Sequence, residues 1–146
     1  MSDTLTAKRM TAALIAALDI AHPATFISRV QQLQKLGIPR GSNTGRGAKI
    51  PYTPTQAAEL LLALHLLDLG ITPAVVAEDF TGTHPLDDGL PGKGDGPWLL
   101  YQAGRLSYLR EAKPVCHWSV HAKRPREDGV VVALGSLWHR FRSVAT

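Results

Sequence analysis

Apolar residues recur at helical spacing in the first part of the chain. Met10, Leu14 and Leu18 lie at i, i+4 and i+8, and this spacing predicts a helix over residues 6–18. A second helix is predicted from Pro23 to Leu36, because proline suits the first helical position and a glycine follows the last one. Only about four residues connect the two helices, so they form a candidate helix-turn-helix.

The second predicted helix has two contrasting faces. Its apolar stripe consists of Phe26, Val30 and Leu33, which indicates a face turned to the core. The opposite face consists of Ser28, Gln31, Gln32 and Lys35, with Arg29 at its boundary. Such side chains suit DNA base edges and phosphates. An ordinary solvated helix face is the alternative interpretation.

The charge around this helix has one sign. The stretch from Phe26 to Thr53 carries five basic side chains and no acidic one, and no Asp or Glu occurs between Asp19 and Glu59. Solvated surfaces usually mix both charges. The run therefore indicates an anionic partner.

The loop after this helix is rich in glycine and basic residues. It carries Arg40, Arg46 and Lys49, and residues 48–52 read as a short edge strand because Pro51 cannot donate to a ladder. This is the composition of a wing that rests on the DNA backbone or minor groove, and a plain surface loop is the alternative. The loop does not match GxxxxGK[ST], which excludes a P-loop.

Further elements are predicted along the rest of the chain. Thr53 to Gln56 reads as a capping box before an apolar helix that ends near Leu69. A short helix runs from Pro73 to Phe80. Residues 81–97 read as a Gly/Pro/Asp linker. Residues 98–134 read as short antiparallel strands, with a helix over Leu137–Val144 capped by Ser136.

These elements predict an α+β fold. We expect a winged helix-turn-helix over residues 1–80 and the linker over residues 81–97. We expect a small antiparallel sheet with a C-terminal helix over residues 98–146, forming a dimerisation or docking region. The basic residues of this last region are interpreted as solubilising charges, with a second DNA contact as the alternative: Arg124, Arg126, Arg140 and Arg142.

Composition limits the chemistry that this chain can perform. Cys116 is the sole cysteine, which excludes an intrachain disulfide and suits a reducing cytoplasm. The strand alternation places it on an apolar face, opposite His117 and His121. Two histidines four residues apart on a strand lie about 13 Å apart, too far to share one metal ion. We therefore predict no metal, no cofactor and no enzyme activity.

Net charge and hydropathy complete the sequence picture. The chain has a net charge of +4 and a pI of about 9.5. Its apolar runs are too short to cross a bilayer and are interrupted by charges. The N-terminus has no apolar signal-peptide core. We expect a cytoplasmic, nucleoid-associated protein with no membrane partner.

The order of these segments resembles the MerR-type winged helix-turn-helix DNA-binding domain over residues 6–80. The resemblance lies in LQKLGIP, the glycine-rich basic link, KIPYT, the long helix and LLDLGITPAVV. The family's long dimerisation coiled coil is absent. The resemblance implies a recognition helix that ends at Leu36-Gly37-Ile38 and a wing that closes at Tyr52.

Together these observations predict a sequence-specific regulator of transcription that binds double-stranded DNA. We expect a homodimeric repressor whose helix 23–36 enters the major groove, with the wing 40–52 on the backbone or minor groove. Ser28, Gln31, Gln32 and Lys35 would face bases, Arg29 and Arg40 phosphates, and Arg46 and Lys49 the backbone or minor groove. Two alternatives stay open: an excisionase-like protein that bends DNA, and a winged-helix adaptor that binds another protein.

Overall fold

The computed structural model describes residues 4–41, 51–102 and 117–145. Within them the elements are α1 (Ala7–Ala17), α2 (Pro23–Lys35), α3 (Pro54–Asp68), α4 (Pro73–Phe80), β1 (Trp98–Tyr101), β2 (Trp118–His121), β3 (Val130–Ala133) and α5 (Leu134–Ala145). The predicted α+β class, with an antiparallel sheet and a C-terminal helix, is confirmed. The predicted wing residues Arg46 and Lys49 lie outside the described residues, so the winged arrangement stays a prediction.

Local sequence signals mark the start of α3 and the end of α2. The Thr53 hydroxyl accepts from the Gln56 backbone N–H at 3.1 Å, and the Gln56 side chain accepts from the Thr53 N–H at 3.0 Å, which confirms the capping box. Gly37 ends α2 at a φ of +87°, a conformation that favours glycine. Its turn is closed by a bond of 2.9 Å from the Ile38 N–H to the Leu33 carbonyl.

Helix α3 lies at the centre of the helical layer. Its side chains are buried on nearly all sides from Ala57 to Leu66, which follows from its almost continuous apolar sequence. Helices α2, α4 and α5 each pack against it, and α1 contacts both α2 and α5. Helix α1 is therefore the neighbour that α2 and α5 have in common.

The sheet is antiparallel and has the strand order β2-β1-β3. Leu99 and Tyr101 of its central strand are fully buried, and they join the same hydrophobic core as Leu60 of α3 and Phe141 of α5. The predicted regions 1–80 and 98–146 thus share one core. Part of the predicted linker between them is also packed, because Leu86 is buried.

The structure corrects the predicted start of the last helix. Ser136 was expected to cap a helix beginning at Leu137, but α5 begins at Leu134, directly after β3. The Leu134 and Gly135 N–H groups donate to the carbonyls of Pro97 and Asp95, at 3.0 and 2.9 Å. These bonds satisfy donors of the first helical turn, so no side-chain cap is needed.

The face assignment of β2 is also corrected. The alternation that predicts an apolar face for Cys116 also predicts it for Val120, but 39% of the Val120 surface is exposed. His117, predicted on the opposite face, is buried. The Asp79 carboxylate of α4 explains the burial of His117, because it supplies this histidine with a polar partner inside the core.

Replacing Gly135 with alanine should destabilise the fold by about 3 kcal/mol, despite the higher helix propensity of alanine. An added Cβ would lie 2.3 Å from the Gly94 carbonyl oxygen and 2.7 Å from that of Gly96. Both are backbone atoms that cannot move aside cheaply. Urea unfolding monitored by circular dichroism measures the change. Gly92→Ala is the control, since its added Cβ meets open space, and equal stability of the two variants would contradict this account.

Candidate nucleic-acid interface

Helix α2 presents the predicted polar face to solvent. Each of the five residues assigned to it is exposed: Ser28, Arg29, Gln31, Gln32 and Lys35. The apolar stripe on the other side is buried against the core. The fold therefore gathers two cations and three hydrogen-bonding side chains on the accessible side of one helix.

Contacts at its C-terminal end fix α2 to the last residue of the predicted wing, Tyr52. The Gln34 amide donates to the Tyr52 hydroxyl, and burial raises the pKa of Tyr52. The Tyr52 backbone pairs with Leu5 through bonds of 2.7 and 2.9 Å. The end of the loop is thus held against both α2 and the residues before α1.

The start of the same loop is held by Arg40, which the sequence assigned to a phosphate. The structure places its guanidinium against Glu59 and Asp87, and its Nη2 lies 2.7 Å from Glu59 Oε1. The Arg40 backbone N–H also donates to Glu59 Oε2 at 3.0 Å. These hydrogen bonds raise the pKa of Arg40 and lower that of Asp87. We call this three-residue group the Arg40 clamp.

His84 lies beside the clamp and is buried. Its Nδ1 accepts from the Leu86 N–H at 3.1 Å, while its Nε2 is buried and has no hydrogen-bond partner in the described part of the chain. Burial lowers the pKa of His84 to about 4, and the charges of Glu59, Arg40 and Asp87 have smaller effects on it. The folded protein therefore holds the neutral imidazole.

Acid should destabilise the protein through this histidine. Its folded pKa of about 4 lies below the ordinary value of 6.5, so the unfolded chain binds the proton more tightly. The neutral His84 contributes its full share to the free energy of unfolding above pH 6.5. This share, up to about 3 kcal/mol, is lost as the pH falls toward 4. Urea midpoints across this range measure it. His84→Asn should flatten the dependence, and the exposed His22→Gln should retain it; an unchanged dependence in His84→Asn would contradict the assignment.

A second buried polar network joins α4 to the sheet. The Asp79 carboxylate accepts from the Tyr101 hydroxyl and lies 3.0 Å from His117 Nδ1. Its backbone carbonyl accepts from the Trp118 indole N–H at 2.9 Å. Within residues 4–41, 51–102 and 117–145, no group of three His, Cys, Asp or Glu side chains is arranged to hold a metal ion. The predicted apolar position of Cys116 lies outside those residues.

Basic and acidic residues lie on different helices. Helices α1, α2 and α5 contain six Lys or Arg residues and no Asp or Glu. Helices α3 and α4 contain four Asp or Glu residues and no Lys or Arg. The sequence analysis considered the charge of α2 but not Lys8 and Arg9 of α1. Residues 4–18 also contain no Asp or Glu, so the positive charge of α1 could have been recognised from the sequence.

No protein-family model, curated protein or solved structure matches this chain. The residues themselves must therefore carry the functional inference. Among the described residues, no helix is both long enough and apolar enough to cross a membrane.

Proposed function

We propose that this protein is a regulator of transcription that binds double-stranded DNA in a sequence-specific manner. Helix α2 enters the major groove, and the loop through Arg46 and Lys49 lies on the backbone or minor groove. The protein acts as a homodimeric repressor that occupies a palindromic or repeated site.

One observation carries this proposal: the exposed face of α2 is basic, rich in amide and hydroxyl groups, and free of carboxylates. Its 13 residues correspond to a helix roughly 20 Å long, which a major groove admits. Gln31 and Gln32 have the side chain that pairs with adenine through two hydrogen bonds. Arg29 and Lys35 supply charge for phosphates, while Arg40 belongs to the clamp and positions the loop.

A protein-binding adaptor is the second candidate, and the surface of α2 supplies a reason. Ile27 and Leu36 are exposed to 42% and 43%. Exposed apolar side chains on a helix are a feature of helix-in-groove recognition. They flank the polar face, so a protein partner would cover part of the surface that DNA requires.

Selection from a pool of random duplexes tests the proposal. The wild type should enrich a defined motif. Gln31→Ala should change the base preference at one position of the site, with a loss of about 1–3 kcal/mol of discrimination. Lys35→Ala should lower the affinity for all sequences by the same factor. Enrichment of no motif, together with an activity that Gln31→Ala and Lys35→Ala leave intact, would favour the adaptor.

A further inference from the structure

We infer that a pocket at the N-terminal end of α2 binds a short apolar peptide with free termini. The ammonium group of the peptide faces Asp19, and its carboxylate faces Arg29. This inference goes beyond the proposed function and does not depend on it. Of the five α2 residues assigned to DNA, only Arg29 lines the pocket.

The pocket lies where two turns of the helical layer meet. It is lined by the α1–α2 turn, the first two turns of α2, the end of α3 and the turn before α4, and its volume is about 580 Å³. Pockets that hold small organic molecules measure about 300–1,000 Å³. The space is therefore suited to an organic ligand rather than to a single ion.

Apolar side chains with accessible surface form part of the lining. Leu18 and Ile20 come from the α1–α2 turn, Leu67 from α3 and Ile71 from the turn before α4. Each packs against the core but is only partly buried. An apolar ligand would remove the remaining surface of these four residues from water, which favours binding.

Charged groups of both signs surround this apolar surface. Asp19, Asp68 and Arg29 line the pocket and are exposed. None of the ion pairs within residues 4–41, 51–102 and 117–145 involves any of the three. Two carboxylates and one guanidinium disfavour a purely anionic ligand. They complement a ligand that has both an ammonium group and a carboxylate.

The spacing of these charges sets the length of the ligand. Asp19 lies in the turn before α2, and Arg29 lies six residues after Pro23, the first residue of the helix. At about 1.5 Å per residue, the two charged groups are on the order of 10 Å apart. A single amino acid is too short to reach both, whereas three extended residues span about 10 Å.

Two hydroxyl groups are available for the backbone of such a peptide. Thr25 of α2 and Thr72, the residue before α4, line the pocket and are exposed. The Thr72 side chain makes no capping bond to α4. A hydroxyl can donate to a carbonyl or accept from an amide, so both kinds of peptide backbone group would find a partner here.

Ligand-observed NMR of the full chain with a set of tripeptides built from Ala, Val, Leu and Phe tests the inference. Members with large side chains should bind with a Kd of about 0.1 mM. N-acetylation or C-terminal amidation of the tightest member removes one charge, and each should weaken binding about three- to fivefold. Absence of binding by the whole set, or equal binding of free and blocked peptides, would overturn the inference.

Matched variants locate the two ends of the peptide. Arg29→Gln should weaken the free peptide about three- to fivefold and leave the amidated peptide unchanged, because the guanidinium and the carboxylate form one interaction. Asp19→Asn should act in the same way on the free and the N-acetylated peptides. Lys35→Gln removes a charge from the same helix outside the pocket and should bind like the wild type. Equal affinities of Arg29→Gln and Lys35→Gln would contradict the placement.

A variant that fills the pocket gives an independent test. Ala21 lines the pocket and is exposed, so Ala21→Trp should fold and should abolish peptide binding by occupying the space. Circular dichroism checks that the variant is folded. Wild-type peptide affinity in folded Ala21→Trp would overturn the assignment to this pocket.

The outcomes separate this inference from the proposed function. A protein that binds peptides but no duplex would support the pocket and overturn the DNA proposal. A protein that binds duplex but no peptide would overturn this inference alone. Where both bind, saturating peptide should lower the duplex affinity by about as much as Arg29→Gln does, and an unchanged duplex affinity would contradict the contact between Arg29 and the peptide.

Discussion

Replacing Arg40 with alanine should lower the free energy of unfolding by about 3 kcal/mol. Glu59 is buried, and Arg40 supplies it with two side-chain donors and one backbone donor. Removing one partner of a buried pair leaves an uncompensated charge, which typically costs 3–5 kcal/mol. The lower end applies here because the Arg40 side chain is 37% exposed and water can partly replace it. Urea unfolding at pH 7 measures the change.

A paired replacement separates the buried charge from the loss of packing. Arg40→Met/Glu59→Leu removes both charged groups and keeps apolar volume, so it should cost much less than Arg40→Ala. Arg40→Lys retains the charge but loses the planar guanidinium with its two parallel donors, and its stability should lie between those of the paired replacement and Arg40→Ala. If the paired replacement were as unstable as Arg40→Ala, the account of the clamp as a compensated charge would be wrong.

Replacing Asp79 with alanine should also lower the free energy of unfolding, by roughly 3 kcal/mol or more. Its carboxylate is the acceptor that the Tyr101 hydroxyl shares with His117, and hydrogen bonds to a charged group contribute about 1.5–3 kcal/mol each. The three side chains belong to α4, β1 and the residue before β2, so their loss should loosen the docking of the sheet on the helices. Urea unfolding followed by tryptophan fluorescence reports on that docking.

The neighbouring carboxylate provides the control for this variant. Glu78 is exposed on the same helix, and Glu78→Ala should change stability by less than about 0.5 kcal/mol. Tyr101→Phe removes one of the hydrogen bonds to Asp79 and should cost about 1–2 kcal/mol. Near-additive effects of Asp79→Ala and Tyr101→Phe in the double variant would show that the two residues are not coupled, contrary to the observed network.

Local signals were sufficient for most of the helices. The apolar spacing of α1 and α2, the proline at the start of α3 and the glycine after α2 each act within a few residues, so the sequence contains the necessary information. The start of α5 was misjudged because Ser136 has the side chain of a typical helix N-cap. Gly135 is required by the close approach of the segment 94–96, which no local pattern reveals.

The site was predictable only as far as it is local. The face of α2 follows from its own periodicity, and the structure leaves it exposed as expected. Arg40 was assigned to a phosphate as a basic residue next to the proposed recognition helix. Its partners, Glu59 and Asp87, lie 19 and 47 residues away in sequence, so no local pattern indicates them. The adjacency of α1 and α5 likewise depends on long-range packing, so the basic residues of the last region were interpreted singly as solubilising charges.

The most direct test of the central claim is the equilibrium affinity of the purified protein for duplex DNA at about 150 mM salt. Wild type should bind an enriched duplex at or below about 10⁻⁸ M, and unrelated duplexes near 10⁻⁵ M. Arg29→Gln/Lys35→Gln should reduce both affinities and make the salt dependence shallower by about two. Absence of wild-type binding to any duplex, or an affinity that this variant leaves unchanged, would contradict the assignment of α2 as the DNA-binding helix.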